Sequence, residues 1–343
     1  MHHIVTVTST DPDSPPISIL DLARIGPGES VAQALAASVE LAQLAERLGY
    51  RRIWYAEHHN FPSIGSSATA VVIGHIAAHT SSIRLGSGGI MLPNHSPLTI
   101  AEQFGTLTSL YPGRIDLGLG RAPGTDQQTL FALRRDMHSA NRFPEDVQEL
   151  QAFLGEQSIV PGVRAVPGEG TEVPLYILGS SLFGAQLAAV LGLPYAFASH
   201  FAPDALHAAV GRYRADFRPS AQLSEPYVLA AVNVVAADDA AAAEEQVLRA
   251  RVERTKALLG RGVEMTDEQA RELYESPAGR QVSQMTKYSA VGTGPQVRAY
   301  LDEFRAHADA DELIVVPAAP DRTVWLRSIE LVAHEYGLRP TPA

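Results

Sequence analysis

The stretch GSGGIMLPNHSPLTIAEQFGTLTSLYPGRIDLGLGRAPG, at residues 86–124, decides the fold of this chain. It contains a short apolar strand, two adjacent glycines, a helix, and a second apolar strand that ends in Gly120-Arg121. Two strands that are joined by a helix run parallel, because a parallel pair needs a long crossover connection. The stretch therefore predicts one unit of a β/α fold.

The same alternation continues in both directions along the chain. Eight strands, each followed by a helix, are predicted at residues 17–22, 52–56, 83–88, 114–119, 174–178, 195–199, 227–236 and 312–317. This pattern predicts a (β/α)8 TIM barrel, with a doubly wound open sheet as the alternative. Such barrels take about 250 residues. The surplus is expected in insertions after strands 4 and 7, at residues 120–173 and 260–311.

The chain is predicted to form a single domain over residues 1–343, with residues 1–16 as a loosely held lead-in. The second insertion is polar and rich in glycine. Residues 260–290 are therefore a candidate mobile lid over the barrel.

Composition excludes several classes of function. The chain has 27 Lys and Arg against 38 Asp and Glu, a net charge of −11, so neither nucleic acid nor an anionic membrane is an expected partner. The absence of cysteine excludes disulfides, thiolate metal sites and a cysteine nucleophile. Because the sequence shows no secretory signal pattern and no long apolar span, we expect a cytoplasmic protein.

Three strand ends suggest a site for a phosphorylated planar cofactor. Gly88 and Gly89 have no Cβ, so a flat ligand could approach the backbone closely. Arg121 provides a fixed cation that suits a phosphate. Gly179-Ser180-Ser181 opens a helix, whose free N–H groups attract an anion. The simpler alternative is that these glycines make turns and that a serine only caps a helix. The Gly-rich segments match neither the dinucleotide nor the P-loop pattern.

The segment Glu57-His58-His59 is the best candidate for proton transfer, since histidine titrates near neutral pH. Neighbouring residues on an extended chain point to opposite sides, so we expect one histidine to face the site. His58 is preferred, with Glu57 as its orienting partner, although both histidines could simply cap the strand. His75 and His79 have a metal-ligand spacing but lack the intervening glutamate of a zinc motif, so an outer-helix position is expected and no metal is predicted.

Four co-linear motifs carry a resemblance to a known family. They are AERLGYRRIWYAEHHN, RLGSGGIMLPNHSPLTIAEQFGTL, PGRIDLGLGRAPGTD, and the pair YILGSSLFGAQLA with PYAFASHFAP. With these motifs the chain resembles the bacterial luciferase-like, flavin-dependent monooxygenases, in particular their single-chain, alkanal monooxygenase-like branch. The resemblance extends from about residue 17 to residue 336.

The resemblance implies a barrel that holds reduced FMN, or in some branches a deazaflavin (F420), at its C-terminal mouth. His58 matches the family's catalytic histidine, flanked by Glu57 and His59. Gly88-Gly89 matches a pair joined by a cis peptide behind the isoalloxazine ring. Arg121 and the loop Gly179-Ser180-Ser181 match the groups that hold the phosphate.

The function predicted in this way is a two-component, FMN-dependent monooxygenase. A separate flavin reductase would supply the reduced FMN, and oxygen would be transferred to an apolar, carbonyl-type small molecule. A homodimer is implied by the resemblance alone. Gly120 stands where light-emitting members carry a reactive cysteine, and Gly179 replaces an acidic residue, so luminescence is not expected.

Three other functions remain open at this point. One is hydride transfer with deazaflavin (F420), and another is flavin binding without catalysis. The third is a sugar-phosphate isomerase or aldolase, which would use a lysine or a pair of acidic residues at the strand ends; the predicted strand ends offer no lysine.

Overall fold

The protein is described by a computed structural model over residues 15–122, 124–136, 138–260 and 265–340. The strands are β1 Ile17–Asp21, β2 Arg52–Tyr55, β3 Arg84–Met91, β4 Ile115–Gly120, β5 Leu175–Gly179, β6 Tyr195–Phe197, β7 Val228–Ala236, β8 Ser289–Gly292 and β9 Glu312–Pro317. All pair in parallel, and β6 pairs with β7 to close a barrel formed by every strand except β8. The predicted TIM barrel is confirmed.

Helices surround this barrel. They are α1 Val31–Leu48, α2 Thr69–Ala78, α3 Pro97–Leu110, α4 Gln127–Ala132, α5 Phe143–Leu154, α6 Leu182–Leu191, α7 Leu206–Asp216, α8 Ala240–Leu259, α9 Asp267–Glu275, α10 Arg280–Met285, α11 Gly294–Ala308 and α12 Arg322–Tyr336. The first helix illustrates how local sequence sets these bounds. Ser30 and Gln33 form a capping box at its start, and Gly49 ends it with a φ of 89°.

Apolar side chains form two cores, as expected for strands that are buried on both faces. The larger core lies between the barrel and the helices. The smaller one fills the barrel and is formed by Leu20, Trp54, Ala56, Tyr176, Ala196, Leu223, Tyr227, Leu229, Ala231, Ile314 and Val316. The barrel is therefore packed rather than hollow, which leaves its C-terminal mouth as the place for a ligand.

A buried polar network occupies the N-terminal end of the barrel. Arg52 pairs with Glu312 at 2.9 Å and with Asp116 at 2.7 Å, and it donates a hydrogen bond to the Tyr176 hydroxyl at 2.7 Å. Tyr227 donates to Glu312 at 2.7 Å. Arg84 also pairs with Asp116, so both buried carboxylates have arginine partners and this network is complete without a ligand.

The second insertion differs from its prediction. Residues 267–308 contain α9, α10, the short strand β8 and helix α11, and β8 pairs with the second half of β7. Helix α11 packs against α12, β7 and β8, the position expected of the crossover helix that returns the chain to β9. The apolar positions Val297, Leu301 and Phe304 follow helical spacing, so this helix was readable from the sequence.

The candidate lid at residues 260–290 stays a prediction, because residues 261–264 lie outside the described part. Most of the predicted lead-in lies outside it as well. Among the described helices, none combines the length and the apolar character that a membrane crossing requires.

Candidate active site

The strand ends at the C-terminal mouth bring most of the predicted site residues into one region. Glu57 and His58 follow β2, Gly88 and Gly89 lie in β3, Arg121 follows β4, and the loop 179–181 follows β5. These strands are consecutive neighbours in the sheet. The fold therefore places the candidate proton-transfer residue His58, the glycine pair and the candidate anion-binding loop along one side of the mouth.

The peptide bond between Gly88 and Gly89 is cis, as the family resemblance implied. The pairing of β3 with β4 shifts register between Ser87 and Ile90, across this glycine pair. A Cβ on Gly88 would lie 2.7 Å from Leu20 Cδ1, and a Cβ on Gly89 would lie 2.7 Å from the Gly118 carbonyl oxygen. Neither position has space for a side chain, so glycine is required here by the packing of the strands as well as by any ligand.

Arg121 lies beside the N-terminus of α6, as a phosphate site requires. Its guanidinium stacks on Phe183 at 4.1 Å from the ring centroid, and Nε donates to the Ala140 carbonyl at 3.3 Å. It forms no ion pair with any carboxylate in the described part of the chain. Its charge is therefore available to an anion.

The loop before α6 leaves its donors free. Ser181 stands at the N-cap in an extended conformation, and its side chain makes no capping hydrogen bond. Its carbonyl instead accepts a hydrogen bond from Tyr195 at 3.0 Å, which fixes the loop against β6. The simpler prediction of an ordinary serine cap is therefore wrong for Ser181. The first N–H groups of α6 remain open to an anion.

His58 is partly buried at the mouth and packs edge-on against Phe61, with 5.4 Å between ring centroids. Burial lowers its pKa, and the nearby Gly124 backbone and the charge of Glu57 oppose this effect only partly. The ring is therefore neutral at pH 7. Its Nδ1 atom is buried and has no hydrogen-bond partner among the described residues. A neutral imidazole with an unused nitrogen can accept a proton.

The predicted pairing of Glu57 with His58 is wrong. The Glu57 carboxylate accepts hydrogen bonds from His59 Nε2 at 2.8 Å, from His95 Nε2 at 2.9 Å and from the Met91 backbone at 3.2 Å. Burial alone would raise the pKa of Glu57, but the hydrogen bonds from His59 and His95 outweigh it and lower that pKa. Successive side chains point to opposite sides of an extended chain, so Glu57 and His59 lie on the same side and pair with each other, while His58 points away.

Sequence reasoning missed His95. It follows the turn Leu92–Asn94 after β3, so a search of the residues just past each strand end would have found it. Donor atoms of Glu57, His59 and His95 lie within 4.8 Å of one another, close enough to hold a divalent ion. The hydrogen bonds among them already satisfy these atoms, and we interpret the group as a network that fixes the ends of β2 and β3.

A surface cleft of about 300 Å³ adjoins this network on the side of His95, with Arg135, Arg142 and Asp146 in its lining. It lies outside the mouth that the glycine pair and Arg121 define. His75 lies on the outer helix α2 and His79 is the residue that caps its C-terminus, where His79 Nδ1 contacts the His75 carbonyl at 2.8 Å.

Comparison with known proteins finds relatives over most of the chain. The family model described as luciferase-like monooxygenase matches residues 16–311. A luciferase-like monooxygenase of Escherichia coli (strain K12) is 49% identical over 317 residues, which are 92% of this chain and 95% of that protein. An N-acetyl-S-alkylcysteine monooxygenase of Bacillus subtilis (strain 168) is 43% identical over 187 residues, which are 53% of this chain and 56% of that protein.

Among solved structures, the crystal structure of apo-MsnO8 superimposes with a TM-score of 0.86. It is 34% identical in sequence, and the match covers 96% of this chain and 99% of that one. The similarity therefore extends over the whole barrel rather than over one motif.

Proposed function

The chain belongs to the luciferase-like monooxygenase family, and from this premise we propose that it is a two-component, FMN-dependent monooxygenase. Reduced FMN from a separate reductase, together with dioxygen, would be used to oxidise a small apolar molecule that carries a carbonyl or similar group. One observation supports this most strongly. A cation without a carboxylate partner, a helix N-terminus and the Gly88-Gly89 pair lie on consecutive strand ends next to a neutral histidine.

The residues at the mouth fit a flavin mononucleotide. Arg121 and the N–H groups at the start of α6 would bind the phosphate, because both favour an anion and neither is neutralised within the described part. The isoalloxazine ring would lie beside the Gly88-Gly89 backbone. Bound in this way, reduced FMN would supply the electrons for the reaction with dioxygen.

The protein would contribute orientation and proton transfer. His58 is neutral at pH 7 and its Nδ1 is unused, so it would accept and return a proton near the cofactor. The network of Glu57, His59 and His95 would hold the ends of β2 and β3 in place. The packed barrel below excludes water from the floor of the site.

Two other functions use the same residues. Hydride transfer with deazaflavin (F420) would need the same phosphate site, and a flavin carrier would need no proton transfer. The N-acetyl-S-alkylcysteine monooxygenase among the relatives makes a thioether a second class of substrate to test. We include a flavin reductase and a homodimer in the proposal, since family resemblance implies both.

The test is an anaerobic titration with FMNH2 and, separately, with reduced deazaflavin, followed by mixing with ¹⁸O₂. Octanal and N-acetyl-S-methylcysteine serve as probe substrates, and mass spectrometry reports the label in the product. We expect binding of FMNH2 and incorporation of one labelled oxygen atom. Binding of deazaflavin alone would favour hydride transfer, whereas tight flavin binding without labelled product would favour a carrier.

The variant His58→Asn tests the assigned base. It keeps the size and polarity of the side chain but cannot accept a proton at neutral pH, so turnover should fall by about 10²- to 10⁴-fold. Flavin affinity, measured by fluorescence quenching, should stay within a few-fold of wild type. His59→Asn is the matched control, because that ring contacts Glu57 and should affect turnover less. Equal turnover in wild type and His58→Asn would remove the role of His58.

A further inference from the structure

Two exposed histidines meet between the outer helices α7 and α11, which pack against each other. His207 Nε2 lies 2.8 Å from His307 Nε2, and the ring centroids are 4.0 Å apart with an angle of 82° between the ring planes. The Tyr288 hydroxyl lies 3.0 Å from the same Nε2 atom of His307. The two histidines are 100 positions apart in the sequence, so only the fold brings these polar atoms to one point of the surface.

Hydrogen bonds alone satisfy this group only in part. A neutral imidazole carries a proton on one nitrogen and a single in-plane lone pair on the other. If His307 Nε2 accepts, the N–H of His207 and the hydroxyl of Tyr288 compete for one lone pair. If it donates, one proton is shared between the same two neighbours. A cation would instead use the Nε2 lone pairs of both histidines, with the protons on Nδ1.

The distance between the two nitrogens fits neighbouring positions around a transition-metal ion. Two metal–nitrogen bonds of about 2.0–2.1 Å that meet at about a right angle place their nitrogens about 3 Å apart. The distance of 2.8 Å between His207 Nε2 and His307 Nε2 is close to this value. Imidazole is a ligand that zinc, nickel and copper all accept, and water can fill the other positions because both side chains are exposed.

The surrounding structure holds the two histidines at this separation. Arg214, two helical turns after His207 on α7, donates a hydrogen bond at 2.6 Å to the carbonyl of Asp309, which follows His307 by two residues. The Tyr288 side chain, which contacts the His307 ring, is 7% exposed and therefore fixed in the core. Both ligands thus project from rigid elements, which favours binding of one ion by both rings.

Two charged residues flank the pair. Glu303 lies one turn before His307 on α11, and side chains at this spacing share one face of a helix, so its carboxylate can provide a further ligand. Lys287 opposes a cation, since its Nζ lies 5.2 Å from the centroid of the Tyr288 ring. The lysine is exposed, so its flexible side chain can turn into solvent when an ion binds.

We propose that His207 and His307 bind one divalent transition-metal ion, such as zinc, through their Nε2 atoms. The ion would join α7 to α11 on the outside of the barrel. The candidate cofactor residues lie instead at the ends of β2 to β5. The site is therefore structural, and neither the site nor its test depends on the proposed function. Magnesium should not bind here, because it prefers oxygen ligands.

The experiment uses the full chain without a histidine tag, cleared of metal with EDTA and dialysed into a non-coordinating buffer at slightly alkaline pH. Calorimetry follows titration with ZnCl₂, NiCl₂ or MgCl₂, and thermal unfolding gives Tm with each salt. Wild type should bind Zn²⁺ and Ni²⁺ with a rise in Tm and should not respond to Mg²⁺. His207→Gln and His307→Gln should each bind Zn²⁺ about 100-fold more weakly, since even the loss of a group that only orients a metal ligand costs about 10- to 100-fold.

His79→Gln is the matched control, because His79 also lies beside a second histidine, with its ring centroid 4.5 Å from that of His75. It should bind Zn²⁺ like wild type. Absence of Zn²⁺ binding in wild type would indicate a hydrogen-bonded imidazole pair only and would overturn the proposal. Wild-type affinity in either test variant would also overturn it, as would loss of binding in His95→Gln, which would place the ion at Glu57, His59 and His95. FMNH2 binding and oxygen transfer are measured without added metal, so failure here leaves the proposed function standing.

Discussion

Adjacent side chains at the end of β2 have different surroundings, and this decides their chemistry. Glu57 is 1% exposed and accepts three hydrogen bonds, whereas His58, the next residue, has a lowered pKa and an unused Nδ1. The carboxylate is ionised and fixed by hydrogen bonds, while the imidazole is neutral. A single residue step on an extended chain thus separates a group that is fixed in a network from the group that we propose as the base.

Gly118→Ala tests how closely β3 and β4 must approach behind the Gly88-Gly89 pair. A Cβ on Gly118 would lie 2.2 Å from the Ser87 carbonyl oxygen, a backbone atom that cannot rotate away. The variant should therefore lower the free energy of unfolding by about 1–3 kcal/mol or more. Chemical denaturation followed by circular dichroism measures the change.

Gly211→Ala on α7 is the control, because a Cβ there meets nothing within 4 Å. Alanine is the better helix former, so this variant should be more stable by about 0.5–1 kcal/mol. If the two variants had the same stability, close packing at Gly118 would not be the reason for glycine there.

The sequence was sufficient to place His58, the glycine pair and Arg121 at neighbouring strand ends, because each follows or ends a predicted strand. It could not identify the partners of Glu57. His95 lies 38 positions further along the chain, and only the closed barrel places its ring against Glu57 Oε1. Contacts between loops at neighbouring strand ends are set by tertiary structure, which hydrophobic periodicity does not report.

At the scale of elements, β4 and α6 together form the proposed anion site, since β4 positions Arg121 and α6 directs its free N–H groups to the same place. Arg121→Gln should lower the affinity for FMN by about 10- to 100-fold, because it removes one charge-assisted contact of about 1.5–3 kcal/mol. Riboflavin lacks the phosphate, so its affinity should not change. Fluorescence titration with both flavins measures the difference.

Arg142→Gln is the control for this measurement. Arg142 lies in the same insertion, its side chain is 72% exposed, and its ion pair is with Asp146. It should leave the preference for FMN intact. An equal loss of FMN and riboflavin affinity in Arg121→Gln would instead indicate that Arg121 acts by packing on Phe183.

Elements with strong local sequence patterns were predicted accurately. Strand β9 has the predicted bounds 312–317, because a short apolar run forms it. The helix predicted between strands 3 and 4 is α3, which Ser96-Pro97 opens. The strand β8 was missed, since its four residues SAVG have no clear pattern of their own. It forms only because β7 extends beyond β6 and offers its second half for pairing. This pairing depends on the tertiary fold, so β8 could not be predicted from its own residues. Helix α11 was also missed, although its apolar stripe could have been recognised in the sequence.

The two ends of the barrel differ in whether their arginine side chains are paired with carboxylates. At the N-terminal end, Arg52 is buried with two carboxylates and a tyrosine hydroxyl. At the mouth, Arg121 has no carboxylate partner within the described residues and stacks on Phe183 instead. A buried charge without a partner costs stability and is available to a ligand of opposite charge, which supports the proposed phosphate site at the mouth.

His200, which follows β6, makes the stability of the whole molecule depend on pH. Its pKa falls from 6.5 to about 3 on folding, through burial first and then through Arg254, Arg24 and His58. Above pH 6.5 the ring is neutral in both states and has no effect. Below it the unfolded chain binds a proton that the folded chain does not, so stability falls, by about 2 kcal/mol at pH 5.

His200→Gln should therefore lose about 2 kcal/mol less than wild type between pH 7.5 and pH 5, measured by chemical denaturation at each pH. His334→Gln, whose side chain is 83% exposed, should behave like wild type. An unchanged pH dependence in His200→Gln would show that His200 is not held neutral at the mouth.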